Sequence, residues 1–305
     1  MKSEKKRWGK ACRTALFLCL ALCLGFVFGI LRGKIGSEDQ RFEKLVKELF
    51  QKEAAGNTLT LHYTLAHPEQ SGIKRPEPSL GTVSADAGQL AKQCEKYEKL
   101  FSHFSEEELS EENQITRDML LLYFHTQGKL AESPLLEEPL SPSLGIQAQL
   151  PVLLAEYTFY EEQDIVDYLK LLKTVRPYFE SILEFERKKS EAGLFMSDAT
   201  LDRILEQCRA FIQDPESNYM LELFEERLKD FGGYTEEEQE KLVQAHKQLI
   251  LQEVVPAYQM LMEELEELRG MGGSSRGLAA MEGGKDYYQA LIRSETGCYL
   301  PIQKI

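Results

Sequence analysis

Tyr287, Tyr288 and Arg293 place two phenols and a guanidinium within two helical turns. Phenol rings can stack on and hydrogen-bond to an extended chain, and an arginine fork can pair a carboxylate bidentately. The same stretch, from Tyr288 to Leu291 and Ile292, also has ordinary core spacing on a helix. Other chemistry is harder to assemble. Zinc catalysis requires three protein ligands and an open coordination position, and its helical form sets two histidines four residues apart with a glutamate beside them. The five histidines, His62, His67, His103, His125 and His246, include no such pair. His62 and His67 are five apart beside Pro68, a poor geometry for sharing one ion. The serines of Gly272-Gly273-Ser274-Ser275-Arg276-Gly277 have no strand before them to form a nucleophile elbow. No Gly-Lys-Ser/Thr follows either, so this stretch reads as a connector. Glutamate runs at 106–108, 236–238 and 263–267 lie at helix starts or on solvated faces, the ordinary place for acids. No residue is assigned to catalysis and none to a metal.

The elements that carry these residues read as helices throughout. Phe42, Leu45, Val46, Leu49 and Phe50 share one helical face, as do Leu90, Cys94, Tyr97, Leu100 and Phe101. Ser105 to Glu108 has a capping-box pattern ahead of a helix over 111–131, whose apolar side runs through Ile115, Met119, Leu122 and Tyr123. Asn57 predicts a short helix ended before Pro68. Pro134, Pro139 and Pro142 among serines mark a loop. Helices follow over 145–159 and 162–175, then from Pro177 to Gly193, and from Asp198 or Thr200. A further one begins at Asp214-Pro215. Thr235 to Glu238 caps a long segment to Arg269, with a kink expected near Pro256. The predicted fold is all-α: a multi-helix body preceded by a single N-terminal transmembrane or signal-anchor helix.

That N-terminal segment is set by charge and hydropathy. Lys2, Lys5, Lys6, Arg7, Lys10 and Arg13 precede an uninterrupted apolar run from Ala15 to Leu31. A helix of that length reaches about 25 Å, just short of a hydrocarbon core of about 30 Å. The basic excess before the run predicts a cytoplasmic N-terminus and an extracytoplasmic body at the cell membrane. An uncleaved anchor is expected, since no Ala-x-Ala follows the run. Cleavage remains open, as does lipidation, for Leu20-Ala21-Leu22-Cys23 is similar to a lipoprotein box with Leu22 where a small residue is usual. Two regions result: residues 1–34, the basic N-terminus and anchor or signal segment, and residues 35–305, the body. The first 34 residues carry a surplus of seven positive charges, so the body holds −21 against the chain's −14. An acidic body repels phosphate backbones, which argues against nucleic acid as a partner. Cys94, Cys208 and Cys298 are too few and too scattered for a disulfide framework.

Gly284-Lys285-Asp286-Tyr287-Tyr288, with Ile292-Arg293 and Thr296, resembles the Gly-x-x-Tyr-Tyr-x-x-x-(Leu/Ile)-Arg-x-x-Thr signature of the bacterial domain of unknown function 885 family. Thr58 to Glu69, Gly145 to Pro151 and Glu156 to Phe159 resemble earlier segments of the same family. The likeness covers roughly residues 40–305, about the first half of a full-length member. It implies a largely helical, zinc-peptidase-like protein in which Tyr287, Tyr288 and Arg293 wall a peptide-binding cleft. The family's metal motif, of the His-Glu-x-x-Pro-Gly-His type, comes after this signature and is not in this sequence. The resemblance thus implies zinc only where a C-terminal catalytic half supplies it, so this chain is expected to hold no cofactor and to be inactive alone. Whether it serves as an enzyme stays open. Its expected partners are a peptide substrate or the catalytic half, and the membrane through the N-terminal helix. The alternative is a non-catalytic extracytoplasmic peptide-binding or scaffold module.

Overall fold

The computed structural model describes residues 38–272 and 277–304. The first six helices are α1 (38–54), α2 (Thr58–Thr64), α3 (Ala87–Ser102), α4 (Glu111–Leu130), α5 (Ile146–Ala155) and α6 (Glu162–Leu172). They are followed by α7 (Val175–Glu191), α8 (Asp198–Ile212), α9 (Tyr219–Phe231), α10 (Glu236–Leu249), α11 (Val255–Glu267) and α12 (Gly284–Thr296). No strand forms among the described residues, and an isolated parallel bridge joins Phe195 and Gly272. The all-α expectation therefore holds for the body. The anchor expected in residues 1–34 lies outside the described residues, and no helix among those described is long and apolar enough to cross a membrane.

The chain divides into two compact units. Among the described residues the first holds 38–49 and 95–125, and the second holds 50–94 and 126–304. An aromatic cluster organises the first unit. Phe42 meets Phe101 and Phe104 edge-on at 5.9 and 5.2 Å, and Phe124 stacks on Tyr97 at 4.9 Å. Two sequence expectations fail here. Ser105 to Glu108 forms a 3-10 turn without a side-chain cap. The apolar side expected for α4 faces out, with Ile115 and Met119 63% and 66% exposed. Asn113 and Phe124 are buried instead, because Asp39 accepts from both the Ser110 amide and Asn113 Nδ2 and fixes the rotation of α4.

The second unit is built around α11. Val255, Ala257, Tyr258, Leu261 and Leu265 are buried, and α11 packs against α7 and α8. Tyr258 keeps its hydroxyl satisfied in this core by donating to the Gln147 carbonyl at 2.9 Å. Local signals read correctly in this unit. Asn57 Oδ1 accepts from the Leu59 and Thr60 amides at the start of α2, and Thr235 and Glu238 form a reciprocal capping box on α10. The expected kink near Pro256 takes the form of a π turn over Ile250–Val254, in which the Val255 amide reaches back to Ile250. Proline cannot donate to the carbonyl four residues before it and crowds that turn, and a wider turn relieves both constraints.

One buried group in α7 is electrostatically uncomfortable. Glu186 is fully buried, neither carboxylate oxygen is hydrogen-bonded, and Lys189 Nζ stands 4.0 Å away, beyond bonding reach. Burial pushes the Glu186 carboxyl up to about 7; Lys189 opposes this and Glu138 adds to it. Folded Glu186 thus keeps its proton at pH values where the unfolded chain has released it. Its contribution to stability is complete below about pH 4.5 and lost as pH rises through 7. Glu186→Gln should leave stability almost unchanged at pH 4.5 and raise it by about 3 kcal/mol at pH 8, less whatever Lys189 loses. Urea unfolding of both proteins at the two pH values reads this directly, and a gain independent of pH would contradict it.

Candidate functional site

Helix α12 starts where it does because of two glycines. Gly283 has φ +70°, and a Cβ on Gly284 would collide with the Leu278 carbonyl. Only glycine therefore lets the first turn of α12 lie against the residues before it. The far end closes locally: Thr296 Oγ1 donates to Ile292 O and accepts from the Cys298 amide, and Gly297 turns the chain at φ +66°. Gln289 then holds the C-terminal segment, donating to Leu300 O and accepting from the Ile302 amide.

The three residues singled out by sequence point to different places. Tyr287 is 8% exposed and walls a cavity of about 540 Å³. Tyr288, 43% exposed, belongs to a second recess with Leu278, Lys285 and Ile302. The Arg293 guanidinium lies 3.9 Å above the Tyr299 ring and ties down the segment after α12. They do not share one cleft.

The Tyr287 cavity lies wholly within the second unit. Three short stretches surround α12 there: residues 84–93 leading into α3, residues 127–131 at the end of α4, and Pro134 to Glu137 in the proline-rich loop. Gln127 Nε2 donates to Ser294 Oγ at 3.3 Å and links α4 to α12. The loop is anchored by buried Leu136 and Leu140 and by Lys189 Nζ, which donates to the Glu137 carbonyl at 2.8 Å. Burial pushes the Tyr287 phenol up to about 12, with Glu137 and Glu138 adding to the effect. It stays protonated across the physiological range and lines the cavity as a neutral phenol. Sequence reasoning found Tyr287 but missed Asp86 and Glu137. Both lie in stretches whose only sequence signal is that of loop and helix start, and they converge on Tyr287 through tertiary packing.

Residues 69–305 match the family described as "Bacterial protein of unknown function (DUF885)". The chain belongs to this family. In DUF885 terms, the Gly, Arg and Thr of the signature set the two ends of α12, and the first Tyr faces the cavity. A similar solved fold is that of "the putative lipoprotein from Colwellia psychrerythraea", with a TM-score of 0.69 and 17% identity over 88% of this chain. This DUF885 chain spans 47% of that protein's length. No curated protein matches it.

Among the described residues the five histidines are each engaged apart from one another rather than set to share a zinc ion. His62 is stacked flat on Tyr157 at 3.6 Å, His125 pairs with Glu98, and buried His246 lies against Tyr168 and Phe224. His103 meets the Lys99 carbonyl, and the partner of His67 is Glu69. Among the described residues no three His, Cys, Asp or Glu side chains are grouped to hold an ion.

Gly284→Ala should cost about 1–3 kcal/mol, because the new methyl meets backbone rather than a side chain that could move aside. Thermal unfolding would show this as a lowered midpoint. Gly193→Ala is a useful contrast: no atom lies within 4 Å of its Cβ position, so any cost there comes from the backbone alone.

Proposed function

We propose that this chain is the substrate-cleft half of a zinc-metallopeptidase-like protein, held on the outer side of the cell membrane by residues 1–34 and inactive alone. The observation that carries this reading is the cavity walled by Tyr287, because a residue of the family signature lines a space large enough for peptide side chains. The chain's 47% coverage of the Colwellia protein supports the idea of a half. That protein's description as a lipoprotein supports an extracytoplasmic, membrane-associated location. In this reading residues 35–305 form the body, peptide is the substrate, and zinc with its ligands comes from a C-terminal catalytic half. Tyr287 contributes a neutral hydrogen-bonding wall, while Tyr288 and Arg293 shape the neighbouring recess and the chain after α12.

A second reading is a non-catalytic extracytoplasmic peptide-binding or scaffold module. It is favoured by the core around α11, whose Ala257, Tyr258, Leu261 and Leu265 are closed off from solvent by this chain alone.

Metal content and peptide turnover of the purified 305-residue chain test the first reading. Zinc well below one equivalent, saturable binding of an unstructured peptide and no hydrolysis are the expected results. One zinc per chain, or cleavage by this chain alone, would overturn the half-molecule reading. If a C-terminal half from a full-length relative is added and restores hydrolysis, the catalytic reading stands over the scaffold one.

A further inference from the structure

We propose that the Tyr287 cavity selects a cationic side chain, the lysine or arginine of a bound peptide. This rests on the reading that the cleft receives peptide, and it names which residue the cleft prefers.

The charges around the cavity are of one sign. Asp86, Glu137 and Glu295 line it, and no lysine or arginine does. None of the three carboxylates is in an ion pair among the described residues. The Asp86 carboxylate accepts one hydrogen bond, from the Gly88 amide at 3.0 Å, which leaves its second oxygen available. The nearby positive charge is Lys189, whose Nζ donates to the Glu137 carbonyl and whose charge partly offsets the burial of the Glu137 carboxyl. An anionic ligand would meet like charge on three exposed carboxylates, only one of which is partly offset by Lys189, whereas a cation meets complementary charge.

The remaining wall suits an aliphatic stem. Leu90, Leu130, Pro134 and Leu291 give it apolar surface behind the polar rim. A lysine or arginine buries its methylenes along such surface and keeps its charged head among polar groups. Tyr287 provides the second, independent indication of a ligand. The residue is 8% exposed and lines the cavity, and no hydrogen bond from its hydroxyl to a protein group is found among the described residues. A phenol oxygen can accept from an ammonium or guanidinium, and the ring face attracts either cation.

The test uses the full chain in neutral detergent and calorimetric titration with four acetylated, amidated tetrapeptides. They differ at one position: lysine, arginine, norleucine or glutamate. Lysine and arginine peptides should bind at least tenfold more tightly than the norleucine peptide, with affinity falling as salt is raised. The glutamate peptide should show no measurable binding. Glu137→Gln and Glu295→Gln should each weaken the lysine peptide roughly three- to tenfold and narrow its advantage over the norleucine peptide. The peptide series on the unaltered chain stands without either variant. Norleucine binding within twofold of lysine would overturn the cationic preference while leaving a peptide cleft in place. Absence of binding by all four peptides would overturn the cleft reading and this inference together.

Discussion

The second unit depends on how residues 236–267 keep a single buried face. His246 and Tyr258 are twelve residues apart, which on a straight α-helix places them about 120° from each other. A π turn takes up one additional residue, worth about 100° of phase, so the wider turn before Pro256 brings both rings to nearly the same side. His246 then stacks on Phe224 and meets the Tyr168 hydroxyl, while Tyr258 packs on Phe179 and reaches Gln147. Burial pushes the His246 imidazole down to about 3, and the Arg227 charge adds to this. It is therefore a neutral core ring at ordinary pH, filling space next to aromatic partners. Helices α5, α7, α8 and α9 take their positions from this face.

The cavity is a consequence of that core at one remove. Helix α7 buries Phe179, Ile182 and Leu183 in the core, and the same helix carries Glu186 and Lys189 towards the proline-rich loop. Lys189 holds the loop through the Glu137 carbonyl, so Glu137 stands beside Tyr287 because α7 is fixed elsewhere. Keeping a lysine and a glutamate buried without close pairing is costly. Lys189 alone of the two reaches the loop, through the Glu137 carbonyl, and so aligns loop and helix beside the cavity.

A comparable division of labour holds around α2. Arg75 bridges Glu161, Asp164 and Asp167, and Asp164 also accepts the Tyr160 and Glu161 amides at the start of α6. His62 lies flat on Tyr157 above this network, its imidazole pushed down mainly by burial. These contacts join segments about ninety residues apart in sequence and tie α2 to the body. They account for His62 as a packed ring.

Sequence alone determined what depends on neighbours along the chain. The α2 and α10 caps, the loop of three prolines, the break before α12 and the family signature are local, because a cap or turn is satisfied within a few residues. Periodicity gave helices but misjudged α4, whose Ile115 and Met119 face outward while Asn113 is drawn inward by Asp39. Helix phase is set by the partner, and a periodic stripe does not name one. The same limit applied to the site. Tyr287 could be singled out beside Tyr288 and Arg293, but which of the three faces a cavity was decided by Gly284 lying against Leu278 and by the contacts after α12. Asp86, Glu137 and Glu295 carry no motif, and only the packing of α3, α4, α7 and α12 brings their charges to one place.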